Sequence, residues 1–339
     1  MNSINQARLL NLLRRYRGEP NSTLSYMRAW FEHQTTLRPN VDKWGNFWLW
    51  VGEPATVTTM WTAHTDTVDS YDLVNTSKLK KSLTVTDEGL VTLNKAHKNT
   101  ANLARCLGAD DGAGCEALAS LAEAGVPGLY VWFAEEESGG YGSLKWTESP
   151  PTDMGRIQRC ISIDRRGYGD VVINQIGSMC ASLEAGRWLS NSLAGVTKTP
   201  WVITSGVFTD SANLKDDIAE CVNISCGYEH EHTENEYLDL NVLNDLVEAL
   251  KEIDLTLMPT KRDPSPQTQP QPEAPVVGNF GGFGVTPQEA SWLVSNESEI
   301  VAKVLHDWGL LDELIEEVEE QKRKEKAYDI QYTTSGWYF

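Results

Sequence analysis

Basic residues are scarce in this chain. Lysine and arginine number 29 against 48 aspartates and glutamates, a net charge of -19. That surplus repels a phosphate backbone and excludes nucleic acid as a natural partner. Also missing is any run of about 18 or more apolar residues, so no transmembrane helix and no membrane partner are expected. Residues 1–16 are polar and basic with no apolar core, which argues against a secretory signal. The six cysteines, Cys106, Cys115, Cys160, Cys180, Cys221 and Cys226, form no Cys-x-x-Cys pair. Buried, reduced thiols in a cytoplasmic protein are the expectation. No internal repeat is visible.

What remains is enough for a large core, since 40% of the 339 residues are apolar. Helical spacing is expected over 3–17 and 22–35, with Asn21-Ser22-Thr23 as a start signal. Residues 46–51 and 57–63 have strand character, and 83–86 and 90–93 flank Asp87-Glu88-Gly89 as a hairpin. An Ala-rich helix is expected over 113–124, strands over 129–134, 160–163 and 171–174, and a helix over 178–190. Strands over 201–204 and 221–225 and a helix over 239–254 follow. This alternation predicts an α/β fold, a mixed and mainly parallel sheet sandwiched by helices. Residues 1–258 are expected to form the main domain. Residues 259–277 have the Pro and Gln content of a linker, and 278–339 that of a small helical appendage that can serve homo-oligomer formation.

Acidic and histidine motifs recur at or just past the ends of apolar strands. A parallel sheet gathers such ends along one edge. In His64-Thr65-Asp66 the extended i, i+2 spacing puts both side chains on one face. Asp66 can then accept one ring N–H of His64 and leave the other nitrogen for a metal. Gly108-Ala109-Asp110-Asp111-Gly112 opens the Ala-rich helix. By itself it reads equally as a helix cap or as a carboxylate shared by two cations. Glu135-Glu136-Glu137-Ser138-Gly139-Gly140 follows a hydrophobic strand with no basic neighbour, a repulsion that a cation relieves. One Glu as ligand and one as general base is a sensible division. Cys160-Ile161-Ser162-Ile163-Asp164 ends a strand in a carboxylate. His230-Glu231-His232-Thr233-Glu234-Asn235-Glu236 follows another strand, with one of its histidines expected as a ligand. Two imidazoles and three carboxylates suit a pair of divalent ions, zinc in particular.

Taken in order, His-x-Asp, Gly-x-Asp-Asp, Glu-Glu-x-Gly-x-x-Gly-Ser, strand-Asp and His-Thr-x-x-Glu resemble the clan of co-catalytic zinc exopeptidases. That clan includes bacterial leucine aminopeptidase, peptidase T and the glutamate carboxypeptidases. The likeness spans residues 60–236. It implies that His64 and Asp164 hold one zinc, Glu137 and His232 the other, and that Asp110 bridges them. It implies Glu136 as general base, Asp66 as the residue orienting His64, and a cis peptide after Asp110. Its His-Thr-x-x-Glu spacing favours His232 over His230.

Asp164 and His232 are separated by 68 residues. Lid-bearing members carry an inserted domain of about a hundred residues there, which does not fit beside the strands assigned to this stretch. The lid-less aminopeptidase layout is expected. Residues 67–105 are likewise short for the inserted β-domain of the tetrahedral-assembly aminopeptidases. Arg165 and Arg166 directly follow Asp164. A guanidinium there can fork onto a substrate carboxylate or neutralise surplus negative charge, so Arg165, with Tyr228, is a candidate substrate contact. Hydrolysis of a terminal peptide bond by an aminopeptidase is the leading reading. A carboxypeptidase or dipeptidase, or an amidohydrolase acting on an N-acyl amino acid, uses the same centre. A catalytically silent assembly protein on the same scaffold is the rival of another class.

Overall fold

A computed structural model describes residues 3–17, 22–68, 80–94 and 106–264. The main sheet has nine strands: β1 (Asn40–Val41), β2 (Phe47–Val51), β3 (Thr59–His64), β6 (Gly128–Phe133), β7 (Arg159–Arg165), β8 (Asp170–Gln175), β9 (Ser178–Met179), β10 (Val202–Gly206) and β11 (Glu220–Ser225). Their order is β1-β2-β6-β3-β7-β11-β8-β10, with β9 paired to β8. The central run β6, β3, β7 and β11 is parallel, and antiparallel pairings border it at β2 and β8. A second, antiparallel sheet joins β12 (Tyr228–Glu229), β13 (Tyr237–Asp239), β5 (Leu90–Leu93) and β4 (Leu83–Val85) in that order.

The central strands β3, β6 and β11 are buried at every position, as a sheet covered on both faces requires. On one face lie α1 (Gln6–Leu13), α3 (Ala109–Glu123), α5 (Leu183–Thr197) and α6 (Leu240–Glu252), packed among Leu9, Leu118, Leu189 and Leu246. Helix α2 (Ser22–Gln34) adds Phe31, whose ring meets Trp132 edge-on at a centroid distance of 5.7 Å. A smaller cluster including Met60, Val131, Phe133, Trp146 and Cys160 fills the opposite face, under α4 (Tyr141–Glu148) and a 3-10 helix, Asp210–Asp216. All six cysteines are free and buried. Burial alone pushes the Tyr130 phenol well up, and burial with neighbouring carboxylates does the same to Cys226.

Three elements differ from the periodicity. The helix expected over 178–190 starts only at Leu183. Ser178–Met179 forms a hairpin arm after Gly177, at φ 72°, and Ser182 caps the helix by accepting from Ala185 N. The Glu220 carboxylate accepts from both Ser182 N and Ser182 Oγ and fixes that start from the neighbouring strand. The Ala-rich helix, by contrast, keeps to its forecast, with regular geometry beginning after Asp111 because Asp110 and Asp111 keep non-helical dihedrals. Helix α4 and the 3-10 turn at Asp210–Asp216 have no sequence forecast.

Residues 165–231 all belong to the main sheet, its coverings or the approach to β12, so no lid domain lies between Asp164 and His232. Beyond Met258, residues 261–262 stay tied to the sheet: Lys261 N and Arg262 N donate to Glu220 Oε1, and Arg262 Nε donates to Ala219 O. Residues 265–277 of the expected linker and the appendage at 278–339 lie outside the described residues.

Candidate active site

The chemistry-bearing residues collect at the carboxyl ends of the parallel strands. His64 is the last residue of β3, Asp164 lies near the end of β7, and Glu136 and Glu137 follow β6. Asp110 and Asp111 begin α3, joined by a cis peptide bond. His232 comes from the turn after β12 and adopts φ 63°, a left-handed conformation that places its ring over the others.

Asp110 sits between the two imidazoles. Its Oδ1 lies 2.9 Å from His64 Nε2 and its Oδ2 3.2 Å from His232 Nε2. Around each imidazole stands a second carboxylate. Asp164 Oδ1 is 3.5 Å from His64 Nε2, and Glu137 Oε1 is 3.0 Å from His232 Nε2. Ligand atoms of His64, Asp110 and Glu137 lie mutually within 4.8 Å, as do those of His64, Asp111 and Asp164. The residues named from the sequence thus converge.

A frame of hydrogen bonds fixes them. Asp66 accepts the amides of Glu136 and Glu137, each at 3.1 Å, and its Oδ1 is 3.5 Å from His64 Nδ1. That last distance is long for a hydrogen bond, and the buried Nδ1 has no other partner. Asp66 therefore holds the Glu136-Glu137 turn at least as firmly as it holds the ring. Asp111 is fully buried and accepts from His64 N and Gly114 N. Gly114 must be glycine, because a Cβ there would lie inside contact distance of the Ile163 carbonyl oxygen and the Asp111 carboxylate. Glu236 receives Gly108 N at 2.8 Å and Asp110 N at 2.9 Å, while Arg17 donates to the Gly108 and Asp110 carbonyls.

Several contributors have no role assigned from the sequence, although Thr209-Asp210-Ser211 resembles a segment near the site of the zinc exopeptidases. Thr209 Oγ1 donates to Asp164 Oδ2 at 2.5 Å, and Asn223 clasps the Asp164 backbone through Asp164 N and O. Asp210 is buried behind the site, where burial raises its carboxyl to about 8. Tyr228, expected at the substrate, is only 3% exposed, and its hydroxyl donates to Asp164 Oδ1 at 3.1 Å. It supports the candidate ligand. Arg165 Nε is 3.1 Å from Asp170 Oδ2 and Arg166 Nη1 is 3.0 Å from Glu231 Oε1. Both guanidinium groups already carry a carboxylate.

The electrostatics fit a cation-binding centre. Burial pushes the Glu136 carboxyl up to about 10 and the Asp111 carboxyl well up, with neighbouring carboxylates adding to both. Glu137 and Asp164 are raised first by burial as well. Asp110 goes the other way: burial opposes its charge, but hydrogen bonds from His232 and His64 prevail and hold it below the carboxylate range. His232 is raised to about 11 by its bonds to Asp110 and Glu137. Two imidazoles among this many buried carboxylates leave a negative excess that divalent cations neutralise. The nitrogen and oxygen donors suit zinc.

Comparison with solved structures decides the architecture. PepT aminopeptidase of Bacillus cereus superposes with a TM-score of 0.55 at 15% identity, over 74% of this chain and 99% of that one. The chain has the fold of the PepT and TET aminopeptidases. A tripeptidase from Staphylococcus aureus gives a TM-score of 0.55 at 17% identity, over 74% of this chain and 98% of that one. A TET aminopeptidase from a marine-sediment thaumarchaeote gives 0.55 at 12% identity, over 73% and 94%. No protein-family model matches the sequence, and no curated protein is similar to it in sequence.

Proposed function

We propose that this chain is a metal-dependent exopeptidase, an aminopeptidase that cleaves the first peptide bond of a short peptide. The observation that carries the reading is the Asp110 carboxylate poised between His64 and His232, with Asp164 and Glu137 completing the two ends. His64 and Asp164 would hold one ion, His232 and Glu137 the other, and Asp110 both. When bound, two divalent cations supply Lewis acidity toward the scissile carbonyl and toward water.

The protein's own groups do the rest. Glu136, half-buried next to the candidate ligand Glu137, takes the proton from the attacking water and delivers it to the leaving amine. Its carboxyl, raised in the metal-free protein, would fall toward the range of a working base with cations held beside it. Asp66 keeps Glu136 and Glu137 on their respective tasks through their amides. Thr209 and Tyr228 both donate to Asp164 and so hold its carboxylate in one orientation.

Amino-terminal cleavage is favoured over carboxy-terminal cleavage because Arg165 and Arg166 are committed to Asp170 and Glu231. Neither is a free fork for a substrate carboxylate. The buried free thiols are consistent with a reducing compartment such as the cytoplasm.

The test is a panel of aminoacyl amides, N-acyl amino acids and peptides with a free carboxyl end. Turnover of unblocked aminoacyl substrates, lost on chelation and restored by zinc, is expected. Glu136→Gln should lower kcat by about 10²–10⁴-fold while metal content holds. Preference for N-acylated substrates, or normal turnover by the Gln variant, would refute the assignment.

A further inference from the structure

Strand β10 ends the main sheet, and among the described residues nothing pairs with its outer edge. Natural edges are usually blunted by shortness, charge or proline. The other described edges follow that rule. β1 is two residues long and stands between Arg38 and Asp42, and β4 is bounded by Lys80 and Lys81 on one side and Asp87 and Glu88 on the other. β10 does not follow it. Its sequence Val-Ile-Thr-Ser-Gly is uncharged, and from Trp188 to Thr209 the only charged residue is Lys198. In a chain with 23% charged residues and a net charge of -19, this is a neutral window in a repulsive surface.

The edge is also apolar at its ends. Val202 N donates to Gly169 O, beside Tyr168, which is 59% exposed, and Val202 itself is 55% exposed. At the other end Gly206 O accepts from Ile176 N, and Ile176 and Val207 are 56% and 60% exposed. Those two hydrogen bonds turn the amides of Val202, Thr204 and Gly206 toward β8. The pairing slips register between Thr204 and Ser205, with the extra residue, Ile173, on β8, so alternation along β10 itself leaves the N–H and C=O of Ile203 and Ser205 pointing outward.

We propose that β10 is a self-association edge: two copies of this chain pair their β10 strands antiparallel about a two-fold axis through Thr204. Self-pairing suits an edge that is uncharged and lies where two strongly acidic molecules repel each other least. The same patch on both partners makes a closed, isologous contact. Ile203 then faces Ser205 of the second copy as a hydrogen-bonded pair. Thr204 faces Thr204 as a non-hydrogen-bonded pair with the Cα atoms about 4.5 Å apart. Tyr168, Ile176, Val202 and Val207 flank the ladder and lose exposed surface. The pairing is independent of the proposed peptidase activity and uses no residue of the site.

The geometry at Thr204 supplies a direct test, because such a pair lies within disulfide reach and the native thiols are all buried. Full-length Thr204→Cys incubated with oxidised glutathione should run as a disulfide-linked dimer on a non-reducing gel. Val85→Cys, at a more exposed position on β4, should stay monomeric. In sedimentation velocity the wild-type chain should show a concentration-dependent dimer. Ser205→Pro, which removes an outward N–H, and Val202→Lys should each weaken that dimer by at least about tenfold in Kd. Circular dichroism and thermal midpoint serve as the folding control, and Val202→Lys keeps the test valid if the proline variant folds poorly. A monomer at every concentration, an oligomer that both substitutions leave intact, or a Thr204→Cys chain that forms no cross-link overturns the proposal. The first of these is also what an edge reserved for a bound peptide would give.

Discussion

The carboxylate of Asp110 reaches both imidazoles of the site, 2.9 Å from His64 Nε2 through one oxygen and 3.2 Å from His232 Nε2 through the other. Each histidine comes from a different part of the chain, so this one side chain ties the two halves of the centre. Asp110→Asn keeps the shape and removes the charge. It should weaken zinc binding by more than about 100-fold at both positions together, read by titration calorimetry. Loss of one ion with the other held at wild-type affinity would show that Asp110 is not shared.

The ordered motifs were legible in the sequence because each occupies a short stretch at a strand end. His64, Asp110, Glu136, Glu137, Asp164 and His232 are brought together by strand order, which the hydrophobic runs outline. The supporting contacts were not legible. Thr209 reaches Asp164 across 45 residues, and Glu236, the last residue of the His-Thr-x-x-Glu motif, reaches Asp110 across 126, and these partners are set by tertiary packing. Arg165 illustrates the converse. Its position beside Asp164 suggested substrate, but β8 brings Asp170 within 3.1 Å and occupies it. Helix α5 was displaced from its forecast because the carboxylate that fixes its start, Glu220, belongs to a strand 38 residues away.

Carboxylate crowding makes the metal-free protein sensitive to alkali. Burial raises the Glu136 carboxyl from 4.5 to about 10. A folded value above the unfolded one means that the stability contribution is complete below about pH 4.5 and fades as pH rises toward 10. In the presence of chelator, Glu136→Gln should therefore melt above wild type at pH 8–9, and the gap should close as pH approaches 5. Thermal melts across that range check the sign, and a gap that widens on acidification contradicts it.

Helix α1 is locked to α3 by Arg8 and Glu116, whose side chains are both fully buried and 2.7 Å apart. Arg8 also meets Glu123 at 2.6 Å. Removing one partner strands the other, so Glu116→Ala should cost about 3–5 kcal/mol in denaturant unfolding. Arg8→Met combined with Glu116→Leu should cost less than the single change. Per folded molecule, turnover should stay at the wild-type level, because neither residue touches the site.

Gly114 lies against the Ile163 carbonyl and the Asp111 carboxylate. Neither neighbour is free to give way, since one is strand backbone and the other is bound to two amides. Gly114→Ala should lower the thermal midpoint by at least about 4 °C and weaken metal binding along with it. A fully stable alanine variant with normal zinc affinity would show that the α3 start has slack the packing does not suggest.

Metal counting by mass spectrometry on the purified full-length chain bears most directly on the central claim. Two zinc equivalents per chain are predicted for wild type after dialysis against the free ion. Single substitutions His64→Ala and His232→Ala should each fall clearly below that value, and the double substitution should bind none tightly. A wild-type chain that retains no divalent metal, or a content indifferent to both histidines, would contradict the account.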